Sequence, residues 1–437
     1  MKIAVMGTGY VGLVTGTCFA EFGFPVTCVD VDAKKIQILE KGISPIYEPG
    51  LEDLIRKNTK AGRLKFSTDI PSAIEKATVV FIAVGTPQAE DGQADLKYVF
   101  SAAEQIAEHM DAYTVVVTKS TVPVDTNKKL ATFLKEKAPH KEFDVVSNPE
   151  FLREGSAIED FMRPDRVVVG CRSQRAEEVM RELYRPLSLL ETPIVFTDPA
   201  SAEIIKYAAN SFLATKITFI NQVADLCEKC DANVHDVSKG MGLDSRIGSK
   251  FLQTGPGYGG SCFPKDTLAM SHTAREYGAP LTIVDSVIKA NDDRKKHMVE
   301  KIVHACGGSV KNKKIAILGL TFKPDTDDMR DAPSLTIIPG LQKAGARIQA
   351  YDPVGRENAQ LYLKDVDWYE DAYGTLKEAD ALVILTEWNE FKFLDLERIK
   401  GLMNSPLMID LRNIYRLSDM KKSGFIYHSL GRPLLRV

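Results

Sequence analysis

Residues 2–12 read KIAVMGTGYVG, and the fold class follows from how that stretch is built. Residues 2–6 are a short β-rich run. Gly7-Thr8-Gly9-Tyr10-Val11-Gly12 then matches G-x-G-x-x-G and opens a helical stretch. In such a fingerprint the first glycine permits the tight turn, the second lets backbone approach a pyrophosphate, and the third lets helix pack closely on strand. Amides at the helix N-terminus then face negative charge. Residues 25–29 (PVTCV) make the next strand, and Asp30 closes it where a carboxylate meets a ribose 2′-hydroxyl. A carboxylate there repels a 2′-phosphate, so the pattern favours NAD over NADP. Lys35 complicates that preference, because a cation tolerates a phosphate.

Working outward, residues 78–84 (TVVFIAV) and 114–118 (TVVVT) are further β-branched runs of the kind that form buried parallel strands. Their alternation with helical segments predicts a doubly wound α/β domain. From 201 to 229 the chain has almost no glycine or proline, and a second helical stretch covers 280–306. A glycine-rich loop, 254–262, lies between them. The α/β pattern returns at 314–320 (KIAILGL). Residues 347–351 (RIQAY) are followed by Asp352 as 26–29 are by Asp30, and 381–385 (ALVIL) echo 80–84. The last third reads as a degenerate copy of the first. It keeps only Gly319 of the fingerprint, so it is expected to bind a different phosphate-containing ligand, or none. The expected organisation is two Rossmann-like doubly wound domains, 1–199 and 307–437, joined by a helical linker domain over 200–306.

Composition sets the outer limits. A chain of 437 residues is long enough for two or three domains with separate cores. Its 44% hydrophobic and 26% charged residues suit a soluble globular protein. A formal net charge of −3 implies no broad surface for nucleic acid or anionic membrane. The N-terminus lacks the pattern of a secretory signal, and no apolar run reaches membrane-spanning length. The seven cysteines are scattered and odd in number, which fits a reducing cytoplasm rather than a disulfide framework.

Residues 257–266, GYGGSCFPKD, carry the densest chemistry. Glycines let backbone approach a ligand closely. Cys262 follows them, with Lys265 and Asp266 three and four residues on. A nearby cation favours thiolate, and a carboxylate moves protons. Cys18, Cys28, Cys171 and Cys306 read as small buried hydrophobes. Cys227 and Cys230 form C-x-x-C inside a helical stretch with no second ligand pair nearby, so no metal site is expected there. The histidines fall in no motif.

These stretches, with Gly85-Thr86-Pro87, Ser120-Thr121-Val122-Pro123, NPEFLREG at 148–155, KYAAN at 206–210 and FKPDTDDMR at 322–330, form an ordered series along the whole chain. In that series the sequence resembles the UDP-glucose 6-dehydrogenase family of nucleotide-sugar dehydrogenases. The resemblance implies a homodimeric enzyme that uses NAD to oxidise UDP-glucose. It implies that Cys262 is the nucleophile, that Lys206 and Asn210 reach the reacting carbon from one helix face, and that Asp266 and Glu150 move protons while Thr121 positions water. Around the cofactor it implies Gly7, Gly9, Tyr10, Val11, Gly12, Asp30, Lys35, Thr86, Thr121, Glu154, Lys265 and Arg330. Around the substrate it implies Glu150, Phe151, Leu152, Arg153, Glu154, Lys206, Asn210, Phe251, Leu252, Gln253, Thr254, Gly255, Gly259, Lys323 and Arg412, with Arg246 reaching across a dimer interface. Tyr258 departs from the phenylalanine of many members, an aromatic swap.

The chemistry suits those residue types. Oxidising an alcohol to an acid removes two hydrides, and a thiolate captures the intermediate aldehyde so that it neither hydrates nor escapes. Lys206 and Asn210 offer a charge and a dipole to the oxygen that gains negative charge. The base for the first step is Lys206 or a water held by Asp266. Three rival readings stay open: a sister enzyme for GDP-mannose or a UDP-N-acetylhexosamine, a nucleotide-sensing protein without turnover, and a two-electron hydroxyacid dehydrogenase. The last leaves Cys262 and the C-terminal repeat without a use.

Overall fold

The computed structural model describes residues 1–88 and 94–434. Eight strands form the first sheet: β1 (Ile3–Met6), β2 (Val26–Val29), β3 (Leu64–Ser67), β4 (Val79–Ile82), β5 (Thr114–Thr118), β6 (Phe143–Ser147), β7 (Val167–Gly170) and β8 (Ile194–Thr197). Six more form the second: β9 (Lys314–Leu318), β10 (Arg347–Tyr351), β11 (Val366–Trp368), β12 (Ala381–Ile384), β13 (Leu407–Asp410) and β14 (Ile426–Ser429).

The first sheet runs β3-β2-β1-β4-β5-β6-β7-β8 and the second β11-β10-β9-β12-β13-β14. Counted from its own first strand, the second sheet has the same 3-2-1-4-5-6 order as the first six strands. That order is the doubly wound dinucleotide topology, so the repeat inferred from sequence is a repeat of fold. Within the two sheets the described strands pair in parallel except β6 with β7, which meet antiparallel at Ser147 and Gly170 alone. The strands β1, β4, β7, β12 and β13 are buried at every residue. Both faces of each sheet are covered by helices, which explains why the strands read as unbroken apolar runs rather than alternating ones.

The chain divides into two compact units, Met1–Ala209 with His272–Gly278, and Asn210–Ser271 with Ala279–Val437. The helical stretch expected at 201–229 is one helix, Pro199–Lys229, and that at 280–306 is Thr282–Ala305. Shorter helices, Val234–Gly242 and Phe263–Glu276, flank the glycine-rich loop. No described helix is long and apolar enough to cross a membrane.

Each sheet changes winding direction between its first and fourth strands, β1/β4 and β9/β12. Ligands of open α/β sheets bind outside the carboxyl ends of strands at such a point. Gly7 and Gly319 occupy equivalent places there, one residue past β1 and β9, both with positive φ (97° and 84°). A side chain on Gly7 would lie 2.7 Å from the Ala83 carbonyl oxygen, and one on Gly319 2.5 Å from Thr386 Cβ. Backbone turn and neighbouring strand are thus pressed together in both copies, and only glycine fits.

Candidate active site

In the first unit the turn after β1 leads directly into the helix Tyr10–Glu21, with Gly9 at its N-cap. A Cβ at Gly12 would sit 2.0 Å from the Gly7 carbonyl oxygen, so this glycine lets the helix close on the turn. A Cβ at Gly9 would meet nothing within 4 Å. The space over Gly9 is therefore open, at a helix N-terminus whose amides are free to face an anion. Asp30 stands beside it. Its Oδ2 accepts from the Thr8 amide (2.8 Å) and hydroxyl (2.7 Å), and Lys35 Nζ lies 3.3 Å away. Burial alone would raise the Asp30 carboxyl, but the Thr8 hydroxyl, the amides of Asp32 and Thr8, and Lys35 outweigh it and hold the group below its ordinary value. A cradle that a Cβ at Gly9 would fill, next to an ionised carboxylate, fits a dinucleotide with a free 2′-hydroxyl.

Tyr10 and Val11 begin that helix, Val11 packed on the core. The Tyr10 hydroxyl is bonded to the buried Glu48, which accepts from the amides of Gly155 (2.6 Å) and Ala157 (2.8 Å). Burial and Glu48 push the phenol far above its usual range, with Glu154 adding to the effect. Thr86 Oγ1 donates to the Thr121 carbonyl at 3.1 Å, tying the ends of the β4 and β5 segments together.

The same unit holds a buried charge cluster. Lys206 Nζ is 2.9 Å from Glu150 Oε1, with side chains 3% and 5% exposed. Glu150 Oε2 accepts from the Leu152 amide at 2.6 Å. Burial would raise Glu150, but Lys206, the Leu152 amide and Lys119 overcome it and keep the carboxyl low. Phe151 carries Arg166 over its ring at 3.5 Å and Lys206 at 5.4 Å. Arg153, by contrast, is exposed and paired with Asp160.

In the second unit Cys262 directly precedes the helix Phe263–Glu276, and its carbonyl accepts the Asp266 amide at 2.8 Å. Ser261 Oγ lies 3.5 Å from the sulfur. Asp266, 1% exposed, accepts from Asn210 Nδ2 at 2.6 Å, and Lys265 Nζ is 3.6 Å from its other oxygen. Cys262, Asn210, Lys265 and Asp266, singled out in the sequence, are therefore brought together. Lys206 and Asn210 are both buried, one turn apart on the helix Pro199–Lys229.

The loop before Cys262 lies against the second sheet. A Cβ at Gly259 would be 2.4 Å from the Asp331 carbonyl oxygen. One at Gly255 would be 3.0 Å from Arg412 Nη1. Arg412 donates to the carbonyls of Leu385 (2.7 Å) and Phe322 (3.0 Å). Lys323 lies over the Phe322 ring at 5.5 Å. Thr254 Oγ1 accepts from Asn413 and Leu252 O accepts from Ser238, while Phe251 adopts φ 65° and Gln253 is exposed. The Arg330 carbonyl accepts the Gly260 amide at 2.8 Å. Arg330 forks onto Asp328 (2.8 and 2.9 Å), and Arg246 is 87% exposed with only Asp244 as a side-chain partner among the described residues.

The second copy lacks the dinucleotide device. Asp352, the counterpart of Asp30, is 4% exposed and accepts from the amides of Leu320, Thr321, Val354 and Gly355 and from the Trp388 indole. Its lone pairs are consumed internally. No helix follows the turn until Ser334–Lys343.

The profile of the UDP-glucose/GDP-mannose dehydrogenase family matches in three parts: the NAD binding domain over residues 1–188, the central domain over 200–293 and the UDP binding domain over 316–417. The chain belongs to the UDP-glucose/GDP-mannose dehydrogenase family. Members similar along their whole length include the UDP-glucose 6-dehydrogenase of Rhizobium meliloti (strain 1021), 56% identical over 99% of this chain and 100% of that one. UDP-glucose 6-dehydrogenase TuaD of Bacillus subtilis (strain 168) is 50% identical over 100% of this chain and 94% of its own. Among solved structures, a UDP-glucose dehydrogenase from the archaeon Pyrobaculum islandicum superposes with a TM-score of 0.91 at 35% identity, covering 99% and 98% of the two chains. As a member of this dehydrogenase family the chain carries its cofactor, NAD, on the first sheet and a UDP-binding domain on the second.

Sequence reading missed several buried polar residues. Lys119 ends the β5 segment at 5% exposure and donates to Asn148 Oδ1 (3.1 Å), which also accepts from Tyr184. Burial pushes Lys119 down to about 7, against the pull of Glu150 and with the repulsion of Lys206. Glu203, three residues before Lys206, accepts from the amides of Asp125 and Asn127 at 2.8 Å. The only sequence clue to either is a charged residue set among apolar ones.

Proposed function

We propose that the chain oxidises the C6 alcohol of UDP-glucose to the carboxylate of UDP-glucuronate, a four-electron reaction that consumes two NAD. The observation that carries this reading is Cys262 at the head of a helix, one turn before the buried Asn210–Asp266 pair. It stands in a chain 56% identical throughout to a UDP-glucose 6-dehydrogenase.

NAD, when bound, supplies the hydride acceptor for both oxidations. Gly7 and Gly12 shape the turn so that the pyrophosphate reaches the open space over Gly9, Asp30 takes the ribose hydroxyl, and Thr86, Thr121, Glu154, Lys265 and Arg330 complete the surroundings. In the first oxidation the C6 hydroxyl gives its proton to Lys206 or to a water held by Asp266. The Cys262 sulfur, favoured as an anion by the helix N-terminus and Lys265, then adds to the aldehyde carbon as the aldehyde oxygen takes a proton. Lys206 and Asn210 stabilise that oxygen, a term often worth a few kcal/mol. The second oxidation turns the thiohemiacetal into a thioester. Water positioned by Thr121 gives a proton to Glu150 or Asp266 and attacks it, the C–S bond breaks, the Cys262 sulfur is regenerated, and the acid leaves. Glu150, Phe151, Leu152, Arg153, Glu154, residues 251–255, Gly259, Lys323 and Arg412 hold the UDP-sugar.

Three further assignments belong to this reading. The division into domains 1–199, 200–306 and 307–437 goes with the three parts of the family profile. Phe212, Phe219 and Leu226 recur at heptad spacing on one face of the helix Pro199–Lys229, 65%, 49% and 64% exposed. A face so apolar and so regular suits a second copy of the same helix, giving a homodimer in which Arg246 serves the partner's site. Seven free thiols suit the reducing cytoplasm. The product, an activated sugar acid, suits transfer into a polysaccharide.

The test is a panel of UDP-glucose, GDP-mannose and UDP-N-acetylhexosamines with NADH counted per sugar consumed. Two NADH per UDP-glucose is expected. One per sugar, or preference for another nucleotide sugar, overturns the proposal. Cys262→Ser is expected to stall at the aldehyde or at an ester-like adduct, because oxygen is the weaker nucleophile and an ester the poorer acyl donor.

A further inference from the structure

In the second unit, residues 254–260 are all buried although they form neither helix nor strand. Buried backbone amides and carbonyls need partners, and a loop without secondary structure cannot supply its own. The Gly260 amide donates to the Arg330 carbonyl at 2.8 Å, and three side chains supply partners for Gly255 and Tyr258. Asn221 Oδ1 accepts the Gly255 amide at 2.9 Å, and Arg294 Nε donates to the Gly255 carbonyl at 2.7 Å. Asn291 Oδ1 accepts the Tyr258 amide at 2.8 Å while its Nδ2 donates to the Tyr258 carbonyl at 3.2 Å. Arg294 Nη1 also reaches the Asn221 carbonyl (3.1 Å) and Asp225 (2.9 Å), which ties the two helices that carry these residues. Asn221, Asn291 and Arg294 are 2%, 4% and 6% exposed. Asn291 presses on the loop so closely that a Cβ at Gly257, whose φ is 123°, would stand 3.0 Å from its Oδ1.

We propose that Asn221, Asn291 and Arg294 are positioning residues that clamp the backbone of Gly255 and Tyr258, and so hold the sugar-nucleotide loop and Cys262 in register. They play toward the loop the part a neighbouring strand plays in a sheet. Two residues, Gly255 and Tyr258, are each fixed at both N–H and C=O, and Gly257 between them leaves the room that Asn291 occupies. The proposal rests on the reading of residues 251–259 as part of the substrate site.

The two asparagines use different halves of the amide, which makes the test specific. Asn221 uses only its oxygen toward the loop, so Asn221→Asp keeps the contact and places the new charge near Arg294. Asn291 uses oxygen and nitrogen together, so Asn291→Asp turns a carboxylate oxygen onto the Tyr258 carbonyl. The same substitution is expected to be tolerated at 221 and harmful at 291. Asn291→Asp should raise KM for UDP-glucose about tenfold or more, the scale of one lost buried hydrogen bond and a new repulsion. It should also change the rate at which iodoacetamide alkylates Cys262, and leave the Kd for NAD unchanged. Asn221→Leu should behave like Asn291→Asp, with Asn221→Asp restoring wild-type KM. Equal effects of Asn→Asp at both positions, or a folded Asn291→Asp enzyme with wild-type KM and alkylation rate, overturns the clamp. If Asn291→Asp does not fold, the Asn221→Leu and Asn221→Asp pair decides. Hydrogen exchange at the Gly255 and Tyr258 amides and alkylation of Cys262 need no substrate. If the wild-type enzyme leaves UDP-glucose untouched, those two readouts still judge the clamp while the functional reading falls on its own.

Discussion

On the proposed reading Asp30 meets the ribose of the dinucleotide, and its surroundings bear on the ambiguity that Lys35 leaves in the sequence. The Lys35 ammonium lies 3.3 Å from the Asp30 carboxylate, so the cation is engaged by the carboxylate to which the proposal gives the ribose. Asp30→Ala removes the ribose acceptor and releases Lys35. NAD affinity is expected to fall about tenfold, as for loss of one charged hydrogen bond, and the gap to NADP to narrow. Parallel titrations of both dinucleotides check this, and an unchanged Kd for NAD would show that the carboxylate does not read the ribose. Lys119 makes a second residue-level case, this time for stability. Its ammonium is pushed down to about 7 by burial, against ~10.4 for an unfolded lysine. Between those values the unfolded chain holds a proton that the folded chain lacks, so this group makes stability rise with pH across that window and weighs against folding most heavily below it. Lys119→Met removes the dependence. The stability of the variant relative to wild type is expected to be most favourable near about pH 6 and to decline toward about pH 9, by at most about 1.4 kcal/mol per pH unit. A constant difference in denaturant unfolding would show that Lys119 keeps its proton. Sequence reading found Asp30 and passed over Lys119 for a physical reason. Asp30 sits at a fixed distance from a glycine turn, whereas a lone buried lysine at a strand end has no spacing to announce it.

At the scale of the element, the turn between β1 and its helix separates packing from binding within one motif. Gly12 faces the Gly7 carbonyl with no room for a methyl group, whereas Gly9 has open space and an ordinary φ of −71°. Gly12→Ala is expected to force helix from strand and destabilise the first unit by about 1–3 kcal/mol, the usual cost of overpacking. Gly9→Ala is expected to fold like wild type and bind NAD more weakly, because its methyl group occupies the space a pyrophosphate needs. Thermal unfolding together with NAD titration checks the pair; equal melting losses for both would show that the two glycines serve packing alike. The same turn explains what was legible in the second sheet. Gly319 and Asp352 are visible in the sequence as counterparts of Gly7 and Asp30, and both take equivalent places. The saturation of Asp352 was not visible, because it depends on amides and an indole brought in by folding. The clamp residues were hidden for a related reason: Asn291-Asp292-Asp293-Arg294 reads as a solvated polar run, yet Asn291 and Arg294 turn inward while Asp292 and Asp293 face water.

For the whole molecule, strand–helix alternation was enough to predict two doubly wound sheets, because short β-branched runs buried on both faces leave few alternatives. It did not predict that β7 and β8 run opposite to the first six strands, since strand direction is set by a connection rather than by the residues of a strand. Nor does alternation say how many copies make a working enzyme. For that the exposed stripe of Phe212, Phe219 and Leu226 and the outward Arg246 are the relevant observations. If two copies pack along the helix Pro199–Lys229, Phe219→Glu with Leu226→Glu places like charges across a two-fold axis, and the sedimentation velocity is expected to fall to that of a monomer. If Arg246 serves the partner's site, complementation is the sharper test. Arg246→Ala and Cys262→Ala should each abolish turnover in homodimers. In a heterodimer of the two variants, the site with an intact Cys262 receives the arginine of the Cys262→Ala chain, so one site of the two is whole. Activity is therefore expected to return on co-expression and to co-purify with the heterodimer. If Arg246 acted within its own chain, neither site would be whole, and the heterodimer would be as inactive as its parents.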